Sequence, residues 1–255
     1  MTTLNQGLVT DHWNFRADIY RFNMIRDFFR NDVADRWRDL LAEAIGDVGP
    51  QNVLDAGCGP AVLTKTLLDL GHRVTAVDVS EKMIEIAREI VGSGNDRISF
   101  HLADVVDLPF EDASFDMIFS RNVVWTLPEP VKALTEWRRL LKPGGRLGVI
   151  DGNWYYHYYR SRIKRWWADI SNLTYKVRSG FKPGQKLAAH YAFDLATTHV
   201  LRPDWDLGVL AGLGFENVKV YQDLERRVWG TWSLKRFTNP WNNQFLIMAT
   251  KGSKM

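Results

Sequence analysis

From Gln51 onward, short apolar runs alternate with amphipathic stretches, and this alternation confines the chain to few folds. "NVLDAG" reads as a strand, "VLTKTLLDLG" as a helix, "RVTAVDVS" as a strand, and "SEKMIEIAREI" as a helix with Ser80 as its N-cap. "ISFHLAD" and "FDMIFSRN" read as further strands, followed by the helix "EPVKALTEWRRLL", the turn "KPGG" and the strand "RLGVIDGN". Strands alternating with helices predict an α/β fold whose parallel sheet is covered on both faces. "NVKVYQDL" and "NQFLIMAT" read as strands with no helix between them, which predicts an antiparallel pair at one edge. Helical segments with aromatic residues on one face occupy residues 11–46, ahead of the alternation. An aromatic and basic insertion interrupts it between 154 and about 202.

Composition bounds the rest. A chain of 255 residues that is 45% hydrophobic can bury one large core, which predicts a single elaborated domain over 1–255. The 33 basic and 30 acidic residues leave a net charge of +3, too small for an extended polyanion groove. Cys58 is the one cysteine, so no intramolecular disulfide can form and a reducing compartment fits. The first residues carry no signal-peptide pattern, and no apolar run nears the roughly 18 residues of a membrane span. The expectation is a soluble, cytoplasmic protein.

The stretch "VLDAGCGPAVLT" carries the chemistry. A glycine-rich turn between a first strand and its helix lets backbone approach a ligand at the carboxyl edge of the sheet. Gly57, Gly59 and Ala61 alone form a G-x-G-x-A pattern shared with dinucleotide-binding proteins. Asp55, just before them, would meet a pyrophosphate with like charge, so a cationic guest such as S-adenosylmethionine suits the turn better. Asp78 ends the second strand, where a carboxylate can accept the hydroxyls of a ribose. Asp104 follows the third strand and can take an adenine amino group, with the Val105 N–H beside it. Met83 is placed to pack on the adenine face or, equally, in the core.

Those segments, with "VTAVDVSEKMIEIAR", "FHLADVVDLPFEDASFDMIFSRNVVWTL" and "EWRRLLKPGGRLGVI", resemble the ordered motifs of class I S-adenosylmethionine-dependent methyltransferases. Within these they are most similar to the small-molecule type 11 group, which includes ubiquinone and menaquinone methyltransferases. The resemblance covers about residues 50–150. It implies a Rossmann-like, seven-stranded sheet of order 3-2-1-4-5-7-6 with strand 7 antiparallel. It also implies a helical cap over 1–48, a cofactor-binding core over 50–152, a substrate-covering insertion over 153–202 and the end of the sheet over 203–251. By position it assigns Asp55, Gly57 and Gly59 to the methionine part of the cofactor, Asp78 to the ribose, and Val79, Met83, Asp104 and Val105 to adenine. Ser120, Arg121 and Trp125 would lie under the methyl donor. "WNFRADIY" adds Trp13, Arg16 and Tyr20 as residues closing over it. The chain departs from the pattern at Ala61, where a third glycine is frequent. It departs again at Asp151 and Asn153, where quinone methyltransferases carry Glu and Ser.

Methyl transfer from a sulfonium needs alignment and exclusion of water, with a base only for acceptors that must lose a proton. No metal constellation is legible, since Cys58 stands alone and the histidines form no ligand pairs. His157 and His190, both in the insertion, are the candidate bases. Tyr155 and Tyr156, in "NWYYHYYRSRIKRWWADI", are candidate acceptor contacts, alongside Trp13, Arg16 and Trp125. Interleaved aromatic and basic residues serve core packing or a pocket wall for a planar or anionic molecule. The small net charge disfavours nucleic acid, and the scarcity of aliphatic residues disfavours a membrane-surface helix. The sequence thus points to a methyltransferase acting on an N, O or S atom of a small molecule, as monomer or homodimer. The product would be S-adenosylhomocysteine. A carbon methyltransferase on a quinone-like or lipidic substrate, and a non-catalytic cofactor-binding protein, are the alternatives.

Overall fold

The structure, a computed structural model, describes residues 6–28, 32–92, 94–167, 195–230 and 243–252. Helices α1 (Gln6–Phe28) and α2 (Val33–Ile45) precede the alternating region. There β1 (Asn52–Ala56), α3 (Val62–Asp69), β2 (Arg73–Asp78), α4 (Glu81–Val91), β3 (Ile98–Leu102) and β4 (Phe115–Arg121) follow one another. Next come α5 (Pro130–Leu140), β5 (Leu141–Asp151) and the short α6 (Tyr156–Arg160). Then follow α7 (Asp204–Gly212), β6 (Phe215–Tyr221), α8 (Leu224–Trp229) and β7 (Phe245–Lys251). The strands form one sheet of order β3-β2-β1-β4-β5-β7-β6, with β7 antiparallel to both neighbours. The expected fold is the observed one. The expected absence of a helix before the last strand is corrected, because α8 lies between β6 and β7.

The strands read as continuous apolar runs because successive residues feed different layers. Leu54, Ile118 and Ile247 belong to a core with Trp137 and Leu210, beneath α5 and α7. Val53, Met117, Phe119 and Leu246 belong to another, with Trp37, Leu67 and Leu224, beneath α2, α3 and α8. Period-two side chains buried on both faces are what a helix-covered parallel sheet requires. Trp37 and Trp137, among the largest fully buried side chains, anchor the two layers. Each fully buried aromatic of this size contributes on the order of 3 kcal/mol by area.

α1 reaches the sheet through the start of α4. The Ser80 hydroxyl caps that helix by accepting from the Met83 N–H at 3.2 Å, and it donates to Asn14 Oδ1 of α1 at 2.6 Å. Ala17 of α1 then packs with Met83 and Ile86 of α4, with Trp13 and Tyr20 at the margin. The polar lock and the apolar patch together seat α1 over the carboxyl edge of β2. Among the described residues, no helix is long and apolar enough to cross a membrane.

Candidate active site

The carboxyl ends of β1, β2 and β4 open onto a cleft of about 810 Å³, solvent at its mouth included. Its floor is the turn after β1. Gly57 and Gly59 both have positive φ, +78° and +51°, but they do different things. A Cβ on Gly57 would lie 2.4 Å from Val123 Cγ2, so this glycine admits a side chain of the protein itself. A Cβ on Gly59 would meet nothing within 4 Å, so Gly59 is where bare backbone faces the cleft. Ala61, in place of the third glycine, is fully buried in a left-handed conformation with φ 59°, at a cost of about 1 kcal/mol.

Three acids line the cleft. Asp55 is 1% exposed, and its Oδ2 accepts from the Thr64 hydroxyl at 2.6 Å, while its Oδ1 is buried without a partner. Burial first, and the nearby Asp78 second, push its pKa up to about 7 against the opposing Thr64 hydrogen bond and Arg121. Asp78 accepts from the Gly59 N–H and the Ser80 N–H, each at 2.9 Å, so it braces the glycine turn and the start of α4 together. Burial raises its pKa to about 6 despite these bonds. Asp104 is held by the Val106 N–H at 3.1 Å, and burial raises it as well.

Arg121, at the end of β4, lies over the Trp37 ring at 5.0 Å with its Nε buried and unpartnered. Burial lowers its pKa to about 10, against the opposing influence of Tyr20 and Asp55. The Cys58 thiol also lines the cleft, but burial and then the two acids push its pKa up, which keeps it a poor nucleophile. Val9, Trp13 and Tyr20 of α1 form the roof. An unpaired carboxylate oxygen beneath this roof fits the ammonium of S-adenosylmethionine, and the open backbone at Gly59 fits its close approach. The cofactor implied by the sequence therefore matches the donor set.

Residues 54–149 match the type 11 family profile described as "Methyltransferase domain". Over this segment the chain is similar to that family. Demethylmenaquinone methyltransferase of Clavibacter sepedonicus is 37% identical over 115 residues, 45% of this chain and 46% of that protein. The 27-O-demethylrifamycin SV methyltransferase of Amycolatopsis mediterranei (strain S699) is 35% identical over 124 residues, 47% and 43% of the two chains. The matched region thus spans about half the length of these relatives. A chain of the Haloferax volcanii complex between the Trm112 activator and a methyltransferase superposes with a TM-score of 0.63 at 19% identity, covering 94% of this chain and 97% of that one. That likeness concerns the fold.

Within the matched region and its cap, the structure gathers Trp13, Tyr20, Asp55, Gly57, Gly59, Asp78, Val79, Met83, Asp104, Val105 and Arg121 around one cleft. Other expected residues lie elsewhere. Ser120 is buried and donates to the Ala56 carbonyl at 2.9 Å, tying β4 to β1 instead of facing a ligand. Arg16, Trp125 and Tyr155 stand beside the cleft, not in its lining. Trp125 and Tyr155 pack with Trp13 against Val9 and Leu195. Tyr156 carries the Arg160 guanidinium at 5.0 Å from its ring. His157 Nδ1 is 3.1 Å from Lys164 Nζ and also lies outside the lining, so it is not aimed at the site as a base would be. Burial and Lys164 lower its pKa. His190 falls outside the described residues. Among the described residues there is no cluster fit for a metal.

The sequence reading missed Asn122, Val123 and Thr64. Asn122 adopts φ 59° in the cleft lining with its Oδ1 buried and unpartnered. An asparagine after a strand end is a signal for that conformation. Asp151 and Asn153, the departures from the quinone methyltransferase pattern, both engage Arg202. Asp151 is fully buried, accepts from the Trp125 N–H at 3.0 Å and the Trp154 indole at 2.8 Å, and pairs with Arg202 at 2.6 Å. Asn153 grips the Arg202 backbone through both of its amide atoms. Asp151 shapes the wall by holding Trp125 and Trp154, and neither residue lines the cleft.

Proposed function

We propose that the chain binds S-adenosylmethionine in this cleft and directs its methyl group to a nitrogen, oxygen or sulfur atom of a small molecule, leaving S-adenosylhomocysteine. The observation that carries this reading is the buried Asp55 Oδ1 with no partner, beside the open backbone at Gly59. An ammonium completes that oxygen, whereas a pyrophosphate would be repelled by it. Asp78 accepts the ribose hydroxyls, Val79 and Met83 cover the adenine face, and Asp104 with Val105 reads its edge. Arg121 offers a cation to the carboxylate of the amino-acid end. When bound, the cofactor supplies a methyl group on a sulfonium with a good neutral leaving group.

The chain's own contribution is alignment and exclusion of water, through Val9, Trp13 and Tyr20 above and Val123 below. Among the described residues, the cleft lining contains no histidine. A heteroatom acceptor with an available lone pair needs no base before attack. A carbon acceptor is the second reading, favoured by the similarity to the demethylmenaquinone methyltransferase.

Calorimetric titration with S-adenosylhomocysteine and with NAD, at pH 6, 7 and 8, tests the proposal. The homocysteine conjugate should bind at least about tenfold, or about 1.4 kcal/mol, more tightly than NAD. Asp55, whose pKa is raised to about 7, must be ionised to hold an ammonium. Affinity should therefore weaken as pH falls below 7, approaching about tenfold per pH unit. Tighter NAD binding, or affinity flat from pH 6 to 8, overturns the assignment.

A further inference from the structure

We infer that the aromatic wall of Trp13, Trp125 and Tyr155, with Arg16 at its side, is the acceptor subsite and selects a flat ring bearing an anionic oxygen; this rests on the function proposed above. The wall adjoins the cleft through Trp13, which faces both. Trp125 lies 5.6 Å from the Tyr155 ring at an interplanar angle of 38°, and 6.0 Å from Trp154 at 40°. Aromatic faces gathered in this way receive another ring by offset or edge-to-face contact.

The polar groups narrow the guest further. Trp125 Nε1 and Arg16 Nε are both buried without a hydrogen-bond partner. Both belong to one neighbourhood, because Arg16 stacks on Tyr20, Tyr20 meets the Trp13 ring edge to face, and Trp13 packs with Trp125 against Val9 and Leu195. Buried donors are ordinarily paired, so two orphans beside an aromatic wall call for a ligand oxygen. The charge pattern makes that oxygen anionic. Among the described residues, Arg16 has no carboxylate partner, and it stacks on the Tyr20 ring at 5.6 Å. A sulfonium brought near this guanidinium adds like charge, and an anionic acceptor beside Arg16 relieves it. A neutral apolar acceptor would leave both donors and the Arg16 charge unanswered.

The test is a tryptophan-fluorescence titration, with and without saturating S-adenosylhomocysteine, using 2-naphthoate, 2-naphthamide and decalin-2-carboxylate. Wild type should bind 2-naphthoate at least about tenfold more tightly than either of the others. Arg16→Met should erase the preference for acid over amide, Arg16→Lys should restore part of it, and Trp125→Phe should weaken naphthoate while the ring still stacks. Affinity for S-adenosylhomocysteine should stay within about twofold in these variants. Equal binding of acid and amide by wild type overturns the inference whatever the variants do. So does a preference that survives Arg16→Met. If S-adenosylhomocysteine fails to bind wild type, the proposed function falls, and the titration without it still decides whether the wall prefers a flat anion.

Discussion

Two glycines in one turn answer to opposite demands. Gly57 is required because Val123 occupies the space where a side chain would sit, and Gly59 because the cleft does. Gly57→Ala should therefore lower stability by about 2 kcal/mol or more, from overpacking added to left-handed strain. Val123→Ala in the same chain should recover part of it. Gly59→Ala should cost only about 1 kcal/mol of strain, yet weaken S-adenosylhomocysteine binding by tenfold or more. Urea unfolding and calorimetry of the variants separate the two effects. Equal stability losses would mean that the turn is packed alike at both positions. The placement of the acids at the strand ends was legible because it follows from local pattern. Which glycine faces the ligand was not legible, because Val123 comes from another strand's end.

At the scale of elements, the seat of α1 decides whether the cleft has a roof. Asn14 Oδ1 accepts from the hydroxyl that caps α4, so one serine serves two helices. Asn14→Ala should cost about 1 kcal/mol of the docking of α1. Amide hydrogen exchange in α1 should accelerate while α4 stays protected, because Ser80 still accepts from the Met83 N–H. Unchanged exchange in α1 would show that the apolar patch at Ala17 and Met83 suffices. The helical character of 11–46 was visible in its aromatic spacing, but its contact with α4 was not, since the partners are distant in sequence. α8 escaped notice because six residues, "LERRVW", are too few to display a helical period beside a strand-like run.

At the scale of the molecule, Arg202 joins parts of the chain that have no local reason to meet. It pairs with Asp151 at the end of β5 and with Asp206 in α7, and its backbone is held by Asn153. Asp151 in turn holds the Trp125 N–H, so the aromatic wall hangs on a buried ion network. Arg202→Met should destabilise the fold by about 3–5 kcal/mol, because two buried carboxylates lose their partner. A double change that also makes Asp206 a leucine should recover part of that loss. The urea midpoint of each variant measures both, and a change below about 1 kcal/mol for Arg202→Met would mean that the network is water-filled instead of buried.

By itself the sequence determined the sheet, its covering helices and the acids at its carboxyl edge. Each of these depends on short-range quantities: period-two apolar runs, amphipathic spacing, and a carboxylate placed at a strand end. Tertiary structure alone decided what those residues have for neighbours. Burial leaves Asp55 Oδ1, Arg121 Nε, Arg16 Nε and Trp125 Nε1 without partners, sets the Asp55 pKa near 7, and turns Asp151 and Asn153 inward to clamp Arg202. Those outcomes arise where strands β1, β4 and β5, helix α1 and the segment around Arg202 converge. Desolvation and pairing depend on distances in space, which the order of residues along a chain does not contain.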